Sequence, residues 1–173
     1  ILPLITGSLI VTLGAALIAV PFGIGTAVYI SEIAPRWMRE ILKPLVELLG
    51  GLPSVVLGFL GILIVSPFLR VFLDLPTGLT AFTGSLLLGG IAVPTVVSVA
   101  EDALDSVPRA YREGAWALGA TKWQTIWRVT LPAARSGVLT AVMLGVGRAI
   151  GETMTVMMVT GNAPVLAVKL NSL

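Results

Sequence analysis

Residues 4–30 contain no charged side chain at all, and Pro21 is the only proline among them. About 20 mainly apolar residues suffice to cross the hydrocarbon core of a bilayer as a helix, so this run is long enough to span. It has no basic flank before it and is too long for the apolar region of a signal peptide. Three more stretches meet the same test: 52–69, 79–100 with Gly89, Gly90 and Pro94 inside, and 132–160, which carries Arg148 and Glu152. Glycine and proline are tolerated in such spans because neighbouring helices and polar side chains satisfy the freed backbone groups. The expected fold is an all-α, polytopic membrane helix bundle, a single transmembrane domain over residues 1–173.

Composition supports this. Of the 173 residues, 56% are hydrophobic and only 12% charged, against about 25% charged in ordinary soluble domains. The charges are clustered rather than spread over an exterior. The chain has no Cys and no His, which excludes thiol chemistry, disulfides, the usual zinc sites and His-based catalysis from this stretch. A net charge of +2 does not suggest a nucleic-acid partner.

Loop charges orient the spans, because short inner loops are enriched in Lys and Arg. Segment 31–50 holds Arg36, Arg39 and Lys43, and segment 101–131 holds Arg109, Arg112, Lys122 and Arg128, with Arg135 just beyond. Both are expected on the cytoplasmic side. The connection 70–78 has one Arg and one Asp and is expected outside. Spans one and three then run inward, and two and four outward. Within 31–50, Trp37, Ile41, Leu45 and Leu48 fall near one helical face and Arg39 and Lys43 on another. That pattern predicts a short amphipathic helix at the membrane surface, bent near Pro44. It serves either as an elbow between two spans or as a partner-binding element.

Segment 105–131 is too polar for a span and too well patterned for a disordered tether. Ser106 is placed to cap a helix with Pro108 in its first turn. Gly119 suits the left-handed position after that helix. Thr121 and Gln124 have the spacing of a capping box that opens a second helix, which ends at Leu131-Pro132. A helix–turn–helix at the inner face is either a structured linker or a knob that docks into a groove on a soluble partner.

Glu113-Gly114-Ala115, with Gly119 six residues after the Glu and Leu131-Pro132 at the end, resembles the EAA signature of permeases in binding-protein-dependent ABC importers. That pattern reads E-A-A, three residues, G, nine residues, I, one residue, L-P. Gly114 stands here for the first Ala and Val129 for the Ile. The resemblance implies a MetI-like transmembrane domain whose loop 105–131 sits in a cleft on an ATP-hydrolysing subunit. Glu113, Gly114, Ala115, Gly119, Leu131 and Pro132 would then be the coupling residues. The stretch Gly147-Arg148-Ala149-Ile150-Gly151-Glu152-Thr153-Met154, followed by Gly161-Asn162, is similar to phosphate permeases of the PstC type, as are Pro21 to Gly25, Tyr29 to Glu32 and Gly51 to Val56. The resemblance implies missing first and last spans, a phosphate path, and roles in transport for Arg148 and Glu152. It also implies a PstA-like second permease, a homodimeric PstB-like ATPase that holds the ATP and Mg, and a PstS-like phosphate-binding protein outside the cell. The sister subunit PstA shares this layout, and molybdate and sulfate permeases share the loop.

Arg148 and Glu152 are four apart and so share a helix face. An ionisable group at mid-membrane costs about 2.5–3.5 kcal/mol on insertion scales. The two are expected either to pair as a packing salt bridge or to line a transport path. Gly147 and Gly151 form a GxxxG pattern that invites a neighbouring backbone. Glu101-Asp102 is expected to be a solvated helix end. No lysine is followed by Ser or Thr, so no Walker A sequence is present, and no cofactor is expected on this chain. The expected function is a non-catalytic permease subunit in a bacterial or archaeal cytoplasmic membrane. The rival reading from another class is a passive channel whose inner helices are merely structural; a membrane enzyme would have only Arg148 and Glu152 as candidate catalytic groups inside the spans.

Overall fold

The computed structural model describes residues 2–72 and 79–160. Among them the only regular structure is helical. Helix α1 (Leu2–Val28) continues into a π-helical turn, Tyr29–Ile33. α2 covers Arg36–Gly50. α3 (Ser54–Leu60), a π turn (Gly61–Val65) and α4 (Ser66–Phe72) follow in one line. α5 is Ala81–Asp105 and α6 is Arg109–Ala117. α7 (Lys122–Thr125), a π turn (Ile126–Thr130) and α8 (Leu131–Ala133) form the next arm. α9 is Arg135–Gly151 and α10 is Met154–Val159. Most of the expected outer connection, 73–78, and Gly161-Asn162 lie outside the described residues.

Among the described residues, three helices are long and apolar enough to cross a membrane: Ile5–Ile33, Ser54–Phe72 and Ala81–Asp105. The stretch expected as a single fourth span, 132–160, is not one rod. The arm Lys122–Ala133 meets α9 at a bend of 73°, and the helix breaks again at Glu152, where ψ is 106°. The second helix of the inner loop does not stop at Leu131-Pro132; it runs to Ala133 before the bend.

Close approaches fix the directions. Gly14 of α1 faces Ser85, Gly23 faces Val96 and Ser31 reaches Asp105, so α1 and α5 run side by side in the same sense. Gly137 and Gly145 of α9 face Ala103 and Val96, so α9 runs the opposite way. Lys43 meets Glu101, Gly50 lies beside Pro94 and Gly61 faces Leu87, so residues 36–72 also run antiparallel to α5 in two segments broken at 51–53. α5 is the axle of the bundle. Val96, fully buried, is clasped between Gly23 and Gly145. Around it lie Ala27, Val97, Ala100 and Ala141, small side chains that let helix backbones come close where lipid offers no hydrophobic drive for association. The outer stripe of α1, Ile5, Leu9, Leu13 and Leu17, stays exposed along its length.

α2 departs from expectation. It is a continuous helix through Pro44, with no interruption there. It leans along the inner half of α5 with its charged face inward, leaving Trp37, Ile41, Leu45 and Leu48 exposed. Arg39 and Lys43 meet the acidic end of α5, and Leu42 and Val46 on the same side pack against the core.

Candidate functional site

Glu101, expected to be solvated, is buried, at 2% exposure. Its Oε1 accepts a bond from Arg39 Nη2 at 2.8 Å and its Oε2 one from Lys43 Nζ at 2.7 Å. Asp102, which is exposed, takes a second bond from Lys43 at 3.1 Å, and Asp105 pairs with Arg39. The bond from Glu101 holds the Lys43 ammonium's pKa above its ordinary value of 10.5, against a smaller opposing pull from burial. A buried carboxylate is retained only when paired and fully hydrogen-bonded. The charges on α2 sit four apart and those on α5 one and four apart, so the faces match. They are separated by 58 or more residues in sequence, and nothing local announces the pairing.

The inner loop is a folded knob. Pro108, not Ser106, stands at the start of α6, and no side chain caps it there. Ser106 ends α5 instead: its backbone N–H bonds Asp102 O and its hydroxyl donates to Ala103 O at 2.7 Å. Gly119 has φ of 82°, the left-handed turn that closes α6, with its N–H on Trp116 O at 2.9 Å. Thr121 and Gln124 form the capping box, each side chain accepting from the other's backbone N–H. Glu113, Gly114 and Gly119 are exposed, as is Pro132, while Ala115 and Leu131 are half-buried. Tyr111, Trp116, Leu118, Trp123 and Trp127 all stay at least 50% exposed. Five large apolar side chains on one small polar-rimmed knob have no partner in this bundle, and an exposed set of this kind marks an interaction surface. A shallow cleft of about 430 Å³ runs past Tyr111, Ala115, Leu118, Gly119 and Arg128.

Arg148 and Glu152 are not bonded to each other, so of the two expectations for them the packing salt bridge is not formed. Arg148 Nη1 donates to Thr95 Oγ1 at 3.0 Å, and Nη2 to Gly50 O at 2.9 Å. Gly50 is the last residue of α2, so its carbonyl lacks an intrahelical partner, and a cation there also meets the negative end of the helix. Glu152 lies in the break after α9, where the chain turns extended, and its carboxylate is engaged by Thr155 rather than by Arg148. Its Oε1 accepts from Thr155 N at 3.4 Å and Thr155 Oγ1 at 3.3 Å; the same hydroxyl lies 3.0 Å from Ser54 O. The breaks at 51–53 and 152–153 therefore face each other, tied by Arg148 on one side and Thr155 on the other. Glu152 also borders a cleft of about 210 Å³ with Ser8, Thr12 and Thr153. Gly147 and Gly151, expected to take a neighbouring backbone, have nothing within 4 Å of a would-be Cβ in this chain. Among the described residues no group of His, Cys, Asp or Glu could hold a metal.

Residues 19–172 match the model of the binding-protein-dependent transport system inner membrane component family. Among named proteins, the chain is 48% identical over 166 residues to the probable ABC transporter permease protein YqgH of Bacillus subtilis, covering 96% of this chain and 54% of that protein. It is 36% identical over 178 residues to the phosphate transport system permease protein PstC of Pasteurella multocida, covering 92% and 56%. It is 38% identical over 179 residues to the phosphate transport system permease protein PstC 1 of Mycobacterium tuberculosis, covering 92% and 53%. The chain thus spans about half the length of the curated relatives it matches. Among solved structures, a chain of the MetNI methionine ABC transporter in inward facing conformations superposes with a TM-score of 0.66 at 23% identity, over 86% of this chain and 67% of that one. That likeness establishes a shared fold.

Proposed function

The chain belongs to the binding-protein-dependent transport system inner membrane components, and from that membership we propose that it is the permease half of an ATP-driven importer of inorganic phosphate. As a multi-pass inner-membrane component it lines the path together with a second permease. The chain carries no chemistry of its own in this reading: ATP and Mg sit on a separate ATPase pair, and a binding protein outside delivers the anion. Loops 31–50 and 101–131 face the cytoplasm.

The observation that carries the proposal is the knob between α5 and α9. It has a left-handed Gly119 at its turn and five exposed apolar side chains. Insertion in a bilayer needs none of this, whereas a docking element for a soluble motor does. A passive channel would have no use for it. Glu113, Gly114, Ala115, Gly119, Leu131 and Pro132 are the coupling residues in this reading. Phosphate as cargo is supported by the phosphate permeases among the relatives. The test is uptake by the reconstituted full-length complex with phosphate, sulfate and molybdate competing. Phosphate should win, and the ATPase should copurify and be lost when Glu113 or Gly119 is disrupted. Preference for another oxyanion would overturn the cargo, and transport without any ATPase would overturn the class.

Arg148 and Glu152 line the path or its gate. Arg148→Gln is expected to abolish uptake while leaving assembly intact. The bonds from Arg148 to Gly50 O and Thr95 favour a second reading, in which it braces the break at 51–53. Arg148→Lys separates the two, because Lys keeps the charge but lacks the fork that reaches both acceptors. Uptake retained by Lys supports the electrostatic role, and uptake lost supports the brace.

A further inference from the structure

α6 has no fully buried apolar side chain, so it is not held to the membrane helices by an apolar face. Its anchor is polar. The Arg112 side chain, only 14% exposed, donates Nε at 3.1 Å and Nη2 at 2.7 Å to Glu32 Oε1. The Glu32 side chain is 8% exposed. Nη1 also donates to Val107 O, and Nη2 to Leu104 O, each at 2.9 Å. One planar guanidinium therefore joins three elements: the π turn that ends α1, the C-terminal end of α5, and α6. Carbonyls at a helix C-terminus have no partners within the helix, and a cation is favoured there. Glu32 balances that cation in a site too dry to leave it alone. Ser31, next to Glu32, also donates to Asp105 at 2.7 Å, so the inner ends of α1 and α5 are tied a second time.

This inference rests on the reading above, in which the knob receives motion from an ATPase. We propose that Arg112 and Glu32 are positioning residues that make α6 and the inner ends of α1 and α5 one body, so that a displacement of the knob moves both helices together. The sequence places Arg112 beside the coupling residue Glu113 but gives no sign that it pairs with Glu32, which lies 80 residues away. Lys in place of Arg112 would be a point charge on one stem and could not hold the carboxylate and both carbonyls at once.

The test uses the full-length permease in its reconstituted complex and reads ATP hydrolysis and phosphate uptake from the same vesicles. The variants are Glu32→Gln, Arg112→Lys and the double variant. Each should assemble with the ATPase at normal yield and hydrolyse ATP, while uptake per ATP falls by about five- to tenfold, inside the roughly two- to thirtyfold span of mutations that alter coupling between sites. The double variant should be no worse than the poorer single, because the two residues act as one unit. Normal uptake per ATP in both singles, additive losses in the double variant, or failure of Glu32→Gln to assemble would each overturn the proposal. A wild-type complex that binds no ATPase would instead overturn the functional reading beneath it.

Discussion

Replacing Glu101 by Gln removes one charge and leaves the shape of the side chain. In the native protein this carboxylate is 2% exposed and receives Arg39 at 2.8 Å and Lys43 at 2.7 Å. A hydrogen bond that involves a charged group is worth about 1.5–3 kcal/mol net. Two such bonds would set an upper limit near twice that. The limit is not reached, because Arg39 keeps Asp105, Lys43 keeps Asp102, and both cations are about one-third exposed. Gln can also still accept one bond through its carbonyl oxygen. The expected loss is about 2 kcal/mol, below the roughly 3–5 kcal/mol for breaking a fully buried pair, because the two cations keep other partners and water. For a chain of this length that lowers Tm by about 4–8 °C. The assay is thermal unfolding of the detergent-solubilised protein, followed by the fluorescence of Trp37 in a version that keeps no other tryptophan. Trp37 rides on the exposed face of α2, so it reports release of that helix directly. Glu101→Asp should fall between wild type and Gln. A Tm unchanged within about 1 °C, with Trp37 emission unaltered, would refute the claim that this carboxylate clamps α2 to α5.

Gly145→Ala drives a Cβ into Val96, a side chain with no exposure. Overpacking of this kind costs about 1–3 kcal/mol, and Val96→Ala on top should restore much of it; an unrescued double variant in the same melting assay would argue against the three-helix clasp. Gly119→Ala meets open space but must hold φ of 82°, at a cost of about 1–2 kcal/mol. It should weaken copurification of the ATPase, with Gly119→Asn milder because Asn tolerates that region; equal binding by Ala and wild type would count against a required left-handed turn. The raised pKa of Lys43 gives the cluster with Glu101, Asp102 and Arg39 a pH signature. Its stabilisation is fully present below the ordinary lysine value of 10.5 and is lost as pH climbs through the higher folded value. The Tm difference between wild type and Lys43→Met should therefore shrink in that alkaline window and stay flat from pH 7 to 9, as a melting series in buffers of equal ionic strength will show.

The apolar rods were legible because a bilayer writes its thickness into the chain: residues 4–30, 52–69 and 79–100 stand out by length and lack of charge alone. The capping box at Thr121 and Gln124 and the left-handed Gly119 were legible because caps are local, a matter of three or four residues. What escaped was everything that depends on distant partners. Glu101 beside Asp102 looks like any wet helix end until Arg39 and Lys43 arrive from another helix. Arg148 and Glu152 look like a pair until Thr95 and Gly50 O take the guanidinium from other helices and Thr155, beyond the break, takes the carboxylate. Ser106 has the chemistry of a cap for α6 but is taken by α5, whose last turn reaches it first. α2 shows an amphipathic pattern whose two faces can be assigned but whose inward side cannot, because a membrane protein is free to turn charge toward itself and oil toward its surroundings.

The facing interruptions at 51–53 and 152–153 have a mechanical consequence. An unbroken rod must translate or tilt as a whole, against every neighbour at once. α2, a stiff segment of 15 residues, is about 22 Å long at 1.5 Å per residue, so pivoting it by about 10° about Gly50 swings its Arg36 end by roughly 4 Å. α3 and α4 need not move at all. A small rotation at mid-depth thus becomes a side-chain-sized displacement at one surface, and the short bonds from Arg148 and Thr155 set where the fulcrum lies.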